Sequence, residues 1–172
     1  TIASVTSEYV NLTGKQLGFE SLADRNKKVI YANGDAKIST TQYKFNNSSL
    51  YLDGTTDFLN VVTQPDFDFG TNDFTIELFL YRVGNPGTLQ ILVDMRTAVS
   101  SIAPVLYLST SNQISYVVNG TTVITGGTIQ PNTWTHVALV KHSGVTKIYF
   151  DGSQTGSSYT AVSYTHLTLP TI

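Results

Sequence analysis

Apolar and polar residues alternate along most of this chain with a period of two, which marks strands lying on a layer rather than helices. The pattern is clearest from Trp134 to Gly152. Residues 134–140 and 145–150 are rich in β-branched and aromatic side chains, and Ser143-Gly144 between them has the backbone freedom to reverse direction. An antiparallel hairpin is predicted, with Asp151-Gly152 starting the next turn. On its first strand Trp134, His136, Ala138 and Val140 point one way, while Thr135, Val137 and Leu139 point the other. Neither set is a water face, so the strand is expected to be central. Trp134, His136, Leu139 and Phe150, with Phe74 and Ile76 of an earlier strand, form the expected core. For a buried Trp134, replacement by Ala would cost about 3 to 5 kcal/mol.

Residues 1–28 carry Val10, Leu12, Leu17, Phe19 and Leu22 at irregular spacing, which leaves edge strand and loop both open. They are read as part of the same domain or as a linker. Beyond them, 29–32 and 36–38 flank Asn33-Gly34, a pair suited to a tight hairpin. Residues 49–52 run into Asp53-Gly54, and 58–62 return. A turn-rich bridge leads into 74–81, the most apolar strand, and 89–94 follow the break at Gly84–Gly87. A loop at Thr110-Ser111-Asn112 would set Leu108 opposite Ile114 and Leu106 opposite Tyr116, on one face with Val118. A two-residue turn at Asn119-Gly120 then places Val123 beside Tyr116 and leaves Tyr107, Ser115 and Ile124 in a row on the other face. Asn-Gly or Asp-Gly turns at residues 33, 53, 119 and 151, among short strands, predict an all-β sandwich.

Composition narrows the chemistry. At 172 residues the chain is one domain, or a domain with a tail, large enough to bury a core without covalent staples. A net charge of −2 provides no field to gather nucleic acid or anionic lipid. The absence of cysteine excludes disulfides, thiolate metal sites and a cysteine nucleophile. No apolar run approaches the roughly 18 residues of a membrane span. The start at Thr1, without a methionine or a leader pattern, suggests a piece of something longer.

Three blocks carry a resemblance: Ser48–Gly54, Asp66–Glu77, and Trp134–Val140 ending in Tyr149-Phe150-Asp151-Gly152. In that order and separation they resemble the laminin G-like domains of the concanavalin A-like lectin and glucanase superfamily. The resemblance implies an all-β jelly-roll sandwich of two curved antiparallel sheets over residues 29–162. Ala36–Thr40 before Ser49-Leu50-Tyr51 looks most like modules of phage virion and tail proteins and of marine microbial secreted proteins. Such domains usually end in a further strand of the type Gly-Tyr-Ile-Asp-Glu-Val-Arg-Ile, and nothing like it follows Tyr159. Residues 163–172 instead resemble a translated sequencing adapter at the end of a metagenomic fragment. They are expected to be non-native, leaving the sandwich without its final strand.

Candidate sites follow. A glycosidase needs paired carboxylates about 5 to 9.5 Å apart. Asp73 and Glu77 share one face of a strand at about 13 Å, and the Glu-x-Asp-x-x-Glu strand of the glucanases is absent, so no catalytic residues are assigned. Asp66, Asp68 and Asp73 are candidate Ca²⁺ ligands, the sole cofactor considered, with ordinary turn formation as the alternative. The row Tyr107, Ser115, Ile124 is the candidate contact face for a sugar ring, and Arg96 a candidate for an acidic glycan. By resemblance the chain is a non-catalytic recognition or adhesion module for glycan or surface polysaccharide, extracellular or on a virion surface, partnered by other domains of a larger protein. A structural or decoration module packing protein against protein is the alternative, and a hydrolase the third reading.

Overall fold

The computed structural model describes residues 16–19, 28–61, 67–96 and 103–161. Their strands, in chain order, are β1 Gln16–Phe19, β2 Lys28–Asn33, β3 Lys37–Ser39, β4 Ser49–Tyr51, β5 Phe58–Val61, β6 Phe74–Tyr81 and β7 Gln90–Asp94. The second half supplies β8 Val105–Leu108, β9 Gln113–Val118, β10 Thr121–Thr128, β11 Trp134–His142, β12 Val145–Phe150 and β13 Ser153–Thr160. Two four-stranded antiparallel sheets, ordered β10-β9-β8-β7 and β13-β12-β11-β6, make the expected sandwich, accompanied by a β1-β2-β5 sheet and a β3-β4 hairpin.

Between the two four-stranded sheets lies one apolar cluster. Leu106, Leu108, Ile114, Tyr116 and Ile124 meet Val137, Leu139 and Ile148, with Ile129 from the connection after β10. Phe74, Ile76, Leu78, Leu80 and Phe150 pack against it. Burial, and then the neighbouring Tyr159, push the Tyr116 phenol up to about 12.

Strand β11 is central, as its two apolar faces predict, and pairs with β6 on one side and β12 on the other. Ser143 and Gly144, with φ of 50° and 78°, close its hairpin in two residues, the positive angles matching the twist of the flanking strands. The alternation along β11 corrects one expectation. Val137 and Leu139 are at 0% exposure in the core, so Trp134 and His136, of opposite parity, project from the outer face of the sheet and are half-buried.

The β8-β9 register is the expected one, with Leu108 opposite Ile114 and Leu106 opposite Tyr116. After the Asn119-Gly120 turn the pairing departs from it. Thr122 faces Val117, Ile124 faces Tyr116, and Val123 is the extra residue of a β-bulge. That single insertion turns Ile124 into the core at 1% exposure and puts Thr125 opposite Ser115. The expected outer row of Tyr107, Ser115 and Ile124 is therefore broken at Ile124.

One edge of the sandwich is closed by glycines. Strand β10 approaches β13 closely, and the Gly127 amide donates to Thr155 Oγ1 at 2.6 Å. A methyl group at Gly126 would lie 2.6 Å from Ile114 Cγ2, and one at Gly156 2.5 Å from the Thr125 carbonyl oxygen. On the opposite side β6 and β7 are both edge strands among the described residues, so the sandwich is open there. Gly156→Ala, at φ 72° and against backbone, is expected to cost about 2 kcal/mol or more, whereas Gly152→Ala, at φ 83° in open space, costs about 1. Urea midpoints of the two variants check the difference, and equal shifts would mean that the β10–β13 seam is loose.

Candidate functional site

The outer faces of β6 and β11 form the floor of a groove. Strand register sets Tyr81 opposite Trp134 and Phe79 opposite His136. The rings are in contact: Tyr81 and Trp134 have centroids 5.4 Å apart at 52°, and Phe79 and His136 4.8 Å apart at 36°. His136 Nε2 donates to Glu77 Oε2 at 3.1 Å. The His136 backbone is pinned as well, its amide donating to Asp151 Oδ1 at 3.0 Å while its carbonyl accepts from the Asp151 amide at 3.0 Å. Imidazole, carboxylate and three aromatic rings thus sit on one sheet face because alternation along two paired strands brings them there.

The facing wall comes from the N-terminal half of the described chain. Strands β3 and β4 pair Lys37 with Tyr51, and Lys37 Nζ lies over the Tyr51 ring, 5.3 Å from its centroid. From the turn between them Phe45 meets Phe79 edge-on at 5.0 Å, and Lys44 Nζ stands 5.5 Å from the Phe79 centroid. Phe45, Leu50, Tyr51, Leu52 and Phe58 all remain exposed, Phe45 at 53% and Phe58 at 54%. The Asp57 carboxylate ties the base of this wall together, accepting from the Asp35 amide at 2.6 Å and the Asp53 amide at 2.8 Å. Hydrogen bonds from the Thr55 amide and then its hydroxyl hold the Asp53 carboxyl below the usual carboxylate range. The groove encloses about 1960 Å³ and is lined by Tyr51, Phe58, Glu77, Phe79, Trp134 and His136, among others. Pockets for single small molecules run to roughly 1,000 Å³, so this one has room for an extended chain.

Residues 53–171 match the laminin G family model described as the concanavalin A-like lectin/glucanases superfamily. The chain belongs to this superfamily. No curated protein and no solved structure matches it. Laminin G-like domains are typically non-catalytic binding modules, although the superfamily includes glycosidases. In this laminin G-like domain the match begins at Asp53, so β1 to β4, with Lys37, Lys44 and Tyr51, lie outside it.

The residues singled out in the sequence are dispersed in the domain. Tyr107 does pair with Ser115 and its hydroxyl lies 3.1 Å from Thr122 Oγ1, but Ser115 is at 2% exposure and Ile124 faces the core. Arg96 is spent on Asp94, with Nε to Oδ1 at 2.9 Å and Nη2 to Oδ2 at 2.6 Å. The fork lowers the Asp94 pKa and raises that of Arg96. Asp66 lies outside the described residues, and Asp68 is exposed. Asp73 clamps the β11-β12 turn, accepting from His142 Nδ1 at 2.7 Å and the Ser143 amide at 2.9 Å. Among the described residues no three His, Asp or Glu side chains gather in a group that could hold a metal ion. Glu77 and Asp73 each hold a different histidine of β11.

Sequence reasoning did not find Phe79, Tyr81, the Glu77–His136 pair, Phe45 or Tyr51 as a unit. The signal available was parity: Glu77, Phe79 and Tyr81 share a face, but only the β6-β11 register, linking residues about 50 positions apart, sets that face beside Trp134. Because the groove face is not the core, Trp134→Asn is expected to leave a folded protein with a loss of about 2 kcal/mol or less, while Leu139→Asn loses about 4 or more. Urea denaturation of both variants decides, and equal losses would return the indole to the core.

Proposed function

We propose that the domain is a non-catalytic recognition module whose groove binds carbohydrate, and that it serves within a larger secreted surface or virion protein. One observation carries this reading: Trp134, Tyr81, Phe79, Tyr51 and Phe58 present aromatic surface to a solvent-open groove, beside the Glu77–His136 pair. Sugar rings offer apolar C–H faces to aromatic planes and hydroxyl edges to carboxylate and imidazole, so this mixture of surfaces suits them. The absence of catalysis is supported by how the groove's carboxylates are used. Glu77 holds His136, Asp57 holds two backbone amides, Asp53 holds Thr55 and Asp94 holds Arg96. Each of these carboxylates is thus occupied in holding a group of the chain itself.

A second reading, a structural or decoration module packing against protein, draws on the exposed aliphatic residues Leu50, Leu52, Val83, Leu89 and Ile91 and on β6 and β7 as edge strands among the described residues. A glycan array and polysaccharide pull-down with the full chain separate the two. Retention of at least one glycan, weakened roughly tenfold by Trp134→Ala, is expected for the groove. An empty array and pull-down, with ligand-free assembly in size-exclusion chromatography, would replace the carbohydrate reading with the packing one.

A further inference from the structure

We propose that the β3-β4 hairpin is a strap that latches onto Phe79 and must swing off it before an extended ligand can lie along the groove floor; that the ligand is a glycan rests on the reading above, whereas the motion of the strap does not. The hairpin has an anchor at its stem and a latch at its tip. At the stem the Asp57 carboxylate holds the chain on its way in and on its way out, Oδ1 accepting from the Asp35 amide at 2.6 Å and Oδ2 from the Asp53 amide at 2.8 Å. Gly34 lets the carboxylate come this near, since a methyl group there would lie 2.3 Å from Asp57 Oδ1. At the tip Phe45 meets Phe79 edge-on at 5.0 Å, and Lys44 Nζ stands 5.5 Å from the centre of the same ring.

Anchor and latch differ in strength. The anchor is a pair of hydrogen bonds to an ionised carboxylate, whereas the latch is one aromatic edge and one cation on a ring, with Phe45 still 53% exposed. Between them the hairpin is braced on itself: Ser49 Oγ donates to the Gln42 carbonyl at 2.6 Å, the Thr41 amide to Ser39 Oγ at 3.2 Å, and Lys37 Nζ lies over Tyr51. Strands β3 and β4 form a two-stranded sheet of their own among the described residues, so no backbone ladder ties them to the floor. A self-braced element with a firm stem and a weak tip moves about the stem when the tip lets go. The position of the latch gives that motion a consequence. Phe79 stands between Glu77 and Tyr81 on the outer face of β6, with the Tyr81–Trp134 pair to one side of it and Glu77 to the other. A polymer that touches both ends of the floor must displace Phe45 and Lys44 from the ring between them. The latched fraction therefore weakens apparent affinity for an extended ligand.

The chain has no cysteine, so Gln42→Cys near the tip and Ser157→Cys on β13 of the sandwich give one spin-labelled pair in the full chain. Pulsed electron paramagnetic resonance of the unliganded protein is expected to show a latched and a released separation. Phe45→Ala and Phe79→Ala should each shift the balance toward release by about fivefold, and the double variant no further, because both remove the same contact. Phe45 is not part of the core cluster, so the Phe45→Ala variant keeps its urea midpoint and the shift is not unfolding. A distance distribution that Phe45→Ala leaves unchanged overturns the strap. On glycans retained by the array, Phe45→Ala is expected to strengthen binding about threefold, opposite in sign to Trp134→Ala. Weaker binding by Phe45→Ala overturns the occlusion and makes Phe45 a ligand contact instead. An empty array removes the carbohydrate reading, and the spin-label distances then decide the strap by themselves.

Discussion

Everything else in this domain depends on the parity of β11. Val137 and Leu139 drive into the cluster formed with Leu106, Ile114 and Ile124 of the opposing sheet, and their burial fixes which way every other side chain of the strand points. A slip of one residue would put Trp134 and His136 into that cluster and carry Leu139 out to water. Two contacts outside the core hold the same parity: Asp73 clamps the Ser143 turn, and Asp151 pins both backbone groups of His136. Apolar burial selects the register, and polar contacts at each end of the strand keep it.

The two sheets then differ in how their edges are treated, and this difference creates the groove. At the β10–β13 side, Gly126 and Gly156 remove the side chains that would hold the strands apart. At the β6–β7 side no such seam exists among the described residues, and the β3-β4 hairpin stands over the β6-β11 face at Phe79 without covering it. The β6-β11 face and the β3-β4 hairpin thus contribute one side of the groove each. This arrangement explains how a domain with an ordinary sandwich core can present an aromatic surface in an open groove.

Much of the fold was legible because its signals are local. The turn at Ser143-Gly144, the central character of β11 and the Leu106–Tyr116 register follow from alternation and from turn residues a few positions away. Where a long-range or unsignalled event intervened, legibility failed. Nothing in Thr121–Thr125 announces that Val123 is the extra residue of a bulge, and that single insertion moved Ile124 from the outer row to the core. Trp134 misleads for a different reason: both faces of β11 are apolar, and the size of the indole points inward although Val137 and Leu139 occupy the core. The groove was the least legible part, since it needs β6, β11 and the β3-β4 hairpin assembled before its residues become neighbours.

Trp134 is the sole tryptophan of the chain, which makes its surroundings directly observable. Acrylamide quenching of its fluorescence in the native protein tests the central claim that β11 turns Val137 and Leu139 inward and the indole toward the groove. Clear quenching is expected in the folded state, diminished when a groove ligand is bound. An emission that resists the quencher until the protein is unfolded would contradict it.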